Sequence, residues 1–108
     1  MKIFAATWLP ATKIVKYELI IIDPGFDTWL QTKPSKEYYS QNYYEQKNRL
    51  YVMEWNYRNM AGKDRGKYET YIDYLPGIDY GLELNYKLFY YFKYFEETNN
   101  IMLINTSR

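Results

Sequence analysis

The chain has 108 residues, a net charge of +1, and ordinary shares of hydrophobic (47%) and charged (25%) residues, which predicts one globular domain over residues 1–108. It contains neither cysteine nor histidine, which excludes thiol nucleophiles, Ser-His-Asp triads and the usual zinc sites. The charge balance argues against nucleic acid as a partner, and no apolar run approaches the ~20 residues of a membrane-spanning helix.

Tyrosine accounts for 15 of the 108 residues, and the low mean hydropathy of −0.62 reflects this, since tyrosine scores as polar although its ring is apolar. Each aromatic ring can bury ~150–250 Å². We therefore expect a folded protein whose core is rich in aromatic rings, with the tyrosine hydroxyls at the edges of that core. Most of the tyrosine rings are expected to be buried.

The N-terminal third of the chain predicts a strand and a short helix. Residues 1–12 are either a short strand or a poorly ordered N-terminal segment, and their apolar run is at the lower limit for a signal peptide. Residues 13–22 are rich in β-branched side chains and end at Asp23-Pro24-Gly25, which predicts a strand followed by a turn. Residues 26–32 predict one helical turn, with Phe26 and Trp29 on the same face.

A long helix is predicted from about Lys36 to Met60, with Ser35 as its N-cap. Its apolar residues form two neighbouring stripes. The first stripe contains Tyr39, Tyr43, Leu50, Met53, Tyr57 and Met60, and the flanking stripe contains Tyr44, Tyr51 and Trp55. Residues 50–57 also alternate in polarity, which would suit a strand, but no turn residue separates them from the helix before them.

The C-terminal half is predicted to form a strand, a helix and a second strand, in that order. Residues 68–74 are aromatic and β-branched, and residues 101–104 form a short apolar run, so both are predicted strands. Between them, Asp79 is expected to cap a largely buried helix over residues 80–98. The predicted fold class is α+β, with two main helices packed on a small, mostly antiparallel sheet.

Two glutamates are the candidates for acid–base chemistry. Glycoside hydrolysis uses two carboxyl groups held ~5–10 Å apart, and Glu54 and Glu83 lie in the two predicted helices beside apolar neighbours. The alternative is that Glu54 forms a surface salt bridge with Arg58 at i, i+4. A second candidate pair is Asp23 with Asp27.

Asparagine and aromatic residues supply the candidate binding site. Asn48, Asn56 and Asn85 are poor helix formers in helical positions, and they are expected either to fix the register between helices or to line a polar pocket. Tyrosine and tryptophan are enriched at interfaces. The candidate residues for contact with a ligand or partner are Trp29, Trp55, Tyr57, Arg58, Asn85 and Tyr86. No metal site and no cofactor is predicted.

Three runs in the chain are distinctive: YELIIIDPGFDTWL (17–30), YSQNYYEQKNRLYVMEWNYR (39–58) and IDYGLELNYKLFYYFKYF (78–95). Together they resemble a family of small Bacteroidota proteins that carry a domain of unknown function, and the resemblance covers about residues 17–97. Members of that family often begin with a lipoprotein signal and an acylated cysteine, which this sequence lacks. The resemblance implies a location at the cell envelope, periplasmic or associated with the outer membrane. It implies no activity.

These observations lead to three hypotheses. The first is a non-enzymatic module at the cell envelope that binds a protein partner or a glycan through a surface rich in tyrosine and tryptophan. The second is a carboxylate-based hydrolase or lyase acting on a glycan, with Glu54 and Glu83 as its acid–base pair. The third is a structural accessory subunit of a membrane-associated assembly. A cytoplasmic location is the alternative to the envelope, and the oligomeric state stays open.

Overall fold

The computed structural model describes residues 2–9, 14–64, 66–68 and 70–105. Over these ranges the chain forms a pair of strands followed by three α-helices and one short 3-10 turn. In chain order they are strand β1 (Lys2–Leu9), strand β2 (Ile14–Ile20), helix α1 (Pro24–Leu30), the 3-10 turn (Lys36–Tyr38), helix α2 (Gln41–Met60) and helix α3 (Leu82–Asn99). The two strands are antiparallel, with an irregularity between Ala5 and Thr7.

The helix starts follow from local hydrogen bonding. The Asp23 side chain accepts a hydrogen bond from the Gly25 backbone N–H, and Pro24 occupies the first turn of α1, where a proline has no helical hydrogen bond to lose. The Ser40 hydroxyl caps α2 by accepting from the Tyr43 N–H. The prediction of Ser35 as the cap was wrong, because the chain makes only a 3-10 turn after Ser35 and leaves helical geometry at residue 39.

Helices α2 and α3 lie side by side and run in the same direction. Near their N-terminal ends the rings of Tyr44 and Tyr86 are 5.8 Å apart, and near their C-terminal ends those of Trp55 and Phe95 are 4.9 Å apart. Between these layers Tyr51 stacks on Phe92, with ring centroids 4.8 Å apart and planes 11° apart. The flanking stripe of the predicted long helix is therefore the side of α2 that enters the core.

Parallel helices need a return segment, and residues 68–80 supply it. The Asn56 side chain both donates to the carbonyl oxygen of Ile72 (2.9 Å) and accepts from its N–H (2.8 Å). The indole N–H of Trp55 donates to the carbonyl oxygen of Thr70 at 2.8 Å, and the Asn59 amide donates to that of Tyr68. Side chains of α2 therefore supply hydrogen bonds that a neighbouring strand would give in a sheet.

The predicted fold class is confirmed only in that the protein contains both helices and strands. The protein is mostly helical. The small sheet under the helices is not supported. The described residues of 68–74 do not form a strand, since α2 side chains bind their backbone. Residues 101–104 are irregular, and the N–H of Leu103 donates to the Glu96 carboxylate at 2.8 Å. The second long helix begins at Leu82, after Gly81 at φ 88°.

Candidate interaction surface

The two candidate catalytic glutamates lie far apart. Glu54 is one residue before Trp55, which packs against Phe95, whereas Glu83 is in the first turn of α3. The 12 residues from Glu83 to Phe95 correspond to about 18 Å along the helix axis. Each glutamate also faces a cation: Glu54 accepts from Arg58 at 2.6 Å, and Glu83 from Lys36 at 3.3 Å. This arrangement does not provide the ~5–10 Å spacing that paired carboxyl catalysis uses.

Three of the predicted binding residues are buried: Trp55, Asn85 and Tyr86. Asn85 connects α2, α3 and the return segment, because its Oδ1 accepts from the Tyr74 hydroxyl (2.6 Å) and from the Asn48 amide (3.2 Å). The Tyr86 hydroxyl donates to the carbonyl oxygen of Pro34 at 2.7 Å. Asn48 and Asn85 therefore fix the register between the helices, and Asn56 fixes the return segment.

The other predicted binding residues are more accessible. Trp29 is half-buried: its indole N–H donates to Glu97 at 3.1 Å, and the ammonium group of Lys33 lies 4.4 Å from its ring centroid. Arg58 is held by Glu54 and donates to the Tyr68 hydroxyl at 2.9 Å. Tyr57 is 66% exposed. Among the predicted residues it is the aromatic side chain most available to a partner.

Tyr57 belongs to a continuous apolar surface on α2. Leu50, Met53, Tyr57 and Met60 are 51%, 68%, 66% and 75% exposed, and their spacing of 3, 4 and 3 residues places them on one face of a helix. That face is opposite Tyr44, Asn48, Tyr51 and Trp55, which enter the core. We call these four exposed residues the outer stripe.

Polar and charged side chains border the outer stripe on both sides. Lys47 and Glu54 lie along one border, and Arg49 and Asn56 along the other, as the helical period of 100° per residue requires. The Glu54 side chain is 34% exposed beside Arg58. An apolar centre with a polar rim is the usual anatomy of a protein–protein interface.

Two of the cavities on the described surface lie away from the outer stripe. One, of about 610 Å³, lies at the start of α3 and is lined by residues that include Glu18, Asp79, Glu83 and Lys87. The other, of about 350 Å³, includes Asp23 and Tyr94 in its lining. Among the described residues, no three Asp, Glu, His or Cys side chains are placed to hold a metal ion.

Burial raises the pKa of several tyrosines. It raises the pKa of Tyr74 to about 12 and that of Tyr90 to about 12, and it also raises the pKa of Tyr86 above its ordinary value. Burial lowers the pKa of Lys93, which lies beside the rings of Tyr51 and Phe89. Acid–base catalysis works best with a pKa near the operating pH, and the raised tyrosine values move away from it.

Over the described residues, the protein is mostly helical with a pair of strands, an aromatic core and an exposed apolar face on α2. The chain belongs to a family of unknown function (DUF6146), whose model matches residues 12–108. The predicted resemblance to a family of unknown function is thereby confirmed. No curated protein and no solved structure matches the chain. Within the described part of the chain, none of the helices has the length and apolar character needed to cross a membrane.

Proposed function

We propose that the protein is a non-enzymatic interaction module that docks an apolar surface of a protein partner against the outer stripe of α2. The observation that carries the proposal is the exposure of Leu50, Met53, Tyr57 and Met60 at helical spacing. With ~200 Å² for each large side chain, these exposures add up to an apolar patch of about 500 Å². Patches of that size are often functional.

The proposed surface differs from the one expected from sequence. Trp55 and Tyr86 are in the core, so the surface is not a tryptophan and tyrosine face but a Leu/Met/Tyr stripe. Methionine suits such a role, because its flexible, polarisable side chain adapts to different partners. Tyr57 adds a rigid ring with a polar hydroxyl, the kind of side chain that is enriched where interfaces bind most strongly.

A location at the cell envelope is part of the proposal and rests on the family resemblance of the three distinctive runs. There the module would act as an accessory subunit of a membrane-associated assembly. A glycan hydrolase receives less support, because Glu54 lies beside Trp55, which packs on Phe95, and Phe95 is about 18 Å along α3 from Glu83.

The test is retention of envelope components from native extract on immobilised wild-type protein and on the Met53→Glu variant. The matched control is Ile22→Glu, which makes the same kind of change at a 90% exposed residue outside α2. Thermal unfolding by circular dichroism verifies that all three proteins are folded. We expect a stoichiometric component that the wild type and Ile22→Glu retain and that Met53→Glu loses. Equal retention by all three would refute the proposal, as would an extract from which the wild type retains neither another component nor the native copy of this chain.

A further inference from the structure

The outer stripe has the residue spacing of a two-helix seam. In a coiled coil, apolar side chains alternate at intervals of 3 and 4 residues and insert between those of the facing helix. Leu50, Met53, Tyr57 and Met60 follow this pattern over about three helical turns, and the preceding position of the pattern is the polar residue Gln46. α2 is continuous from Gln41 to Met60, and the outer stripe covers about 15 Å of its length of about 30 Å.

We propose that the partner on the outer stripe is a second copy of this chain, so that the protein is a homodimer joined through α2. The inference rests on the proposed function, because it names the occupant of the same surface. The stripe is complementary to itself: leucine and methionine pack against leucine and methionine in either direction, and the tyrosine hydroxyl of residue 57 can remain at the rim.

The charges along the borders of the stripe favour this pairing. If the two helices run parallel, Arg49 of one copy lies opposite Glu54 of the other, at the g and e positions that pair in coiled coils. If they run antiparallel with Leu50 of one copy opposite Met53 of the other, Lys47 and Glu54 are the nearest e positions of the two copies, offset by about two residues along the axis. Each arrangement brings opposite charges together twice, once on each side of the two-fold axis. The net charge of +1 adds little repulsion between copies.

The area agrees with a modest but specific contact. Two stripes of about 500 Å² each bury about 1,000 Å² in total, which is at the lower end for a biological interface. Interfaces below about 1,200 Å² are typical of weak, transient associations, so we expect a dissociation constant in the micromolar range. The polar rim adds to the area but contributes less to affinity.

The first experiment is sedimentation equilibrium of the full chain across a concentration series from about 1 to 100 μM, the range that brackets a micromolar dissociation constant. We expect a reversible transition from the 13.3 kDa monomer to twice that mass. Met53→Glu should weaken association by about 100-fold or more, because each dimer would bury two carboxylates. Ile22→Glu should associate like the wild type.

The second experiment uses the absence of cysteine from the chain, which makes single-cysteine variants unambiguous. Under mild oxidation, a parallel seam joins Met53→Cys to itself, whereas an antiparallel seam joins Leu50→Cys to Met53→Cys in a mixture. The Ile22→Cys variant measures the rate of disulfide formation through random collision. Either specific disulfide, formed faster than the control, supports the homodimer and assigns its direction.

Three results would overturn the homodimer: a wild-type protein that stays monomeric throughout the series, a Met53→Glu variant that dimerises equally well, or cross-linking no faster than Ile22→Cys. A monomeric wild type that still retains another envelope component through Met53 would remove self-association and leave the proposed function standing. A wild-type protein that stays monomeric and retains no component through Met53 would refute both proposals.

Discussion

Asn56→Ala should detach the return segment from α2. The wild-type side chain makes two hydrogen bonds to the backbone of Ile72, a residue only 4% exposed. Each buried backbone group that loses its partner costs about 1–3 kcal/mol, so at the lower end of this range about 2 kcal/mol is lost. Alanine returns about 0.5 kcal/mol through its better helix propensity. The net loss in the free energy of unfolding is therefore about 1.5 kcal/mol, or a decrease of roughly 6 °C in Tm.

Urea unfolding followed by circular dichroism measures this loss directly. The matched control is Asn42→Ala, which makes the same substitution at an exposed position of α2. Amide hydrogen exchange supplies a local measurement, because the Ile72 N–H should exchange faster in Asn56→Ala once its acceptor is removed. At acidic pH, the stability of Asn56→Asp should lie between that of the wild type and that of Asn56→Ala. It should decrease as the pH rises, because the introduced carboxyl can donate to the Ile72 carbonyl only while it is protonated.

Free energies of unfolding for Asn56→Ala and Asn42→Ala that lie within about 0.5 kcal/mol of each other, the spread typical of surface substitutions, would refute this role of Asn56. Unchanged exchange of the Ile72 amide would refute it as well. Either outcome would mean that the segment is held by its side-chain packing and not by the amide of Asn56.

Three further predictions concern the cap, the core and the tyrosines. Ser40→Ala should cost about 1 kcal/mol of unfolding free energy in urea denaturation, whereas Ser35→Ala, at a position without a side-chain cap bond, should cost much less. Phe92→Ala should cost about 3–5 kcal/mol in the same assay, because the ring is fully buried. Because the pKa values of Tyr74 and Tyr90 rise to about 12 in the folded state, the folded protein holds more protons than the unfolded chain between pH 10 and 12. Stability should therefore be full below pH 10 and fall toward pH 12, which phenolate absorbance and urea midpoints measure together.

Helical periodicity predicted the two long helices and the short one, because their spacing is a local property of the sequence. It could not decide which side of α2 is buried. Both sides are apolar, so Leu50 and Met53 looked as suitable for the core as Tyr51 and Trp55. A signal was present in Asn48, whose position among Tyr44, Tyr51 and Trp55 suggested a buried partner for its amide.

The two wrong strands have a different cause. Residues 68–74 and 101–104 have the composition of strands, but a strand needs a neighbouring strand to satisfy its backbone. Here the side chains of Trp55 and Asn56 take that role for the first segment, and the Glu96 carboxylate does so for the second. These partners are 7 to 16 residues away in sequence, so composition within either segment could not reveal them.

The parallel course of α2 and α3 has a consequence for how the chain reaches its native state. A helical hairpin forms early because its contacts are local, but neighbours in these two helices, such as Asn48 and Asn85, are 37 residues apart. The loop that joins them must close before their rings can stack, and closure costs entropy in advance of any stabilising contact. We therefore expect folding to be slower than in helical bundles of similar length. Shortening residues 61–81 should not accelerate it, because the chain must span the length of α2 again before α3 can begin.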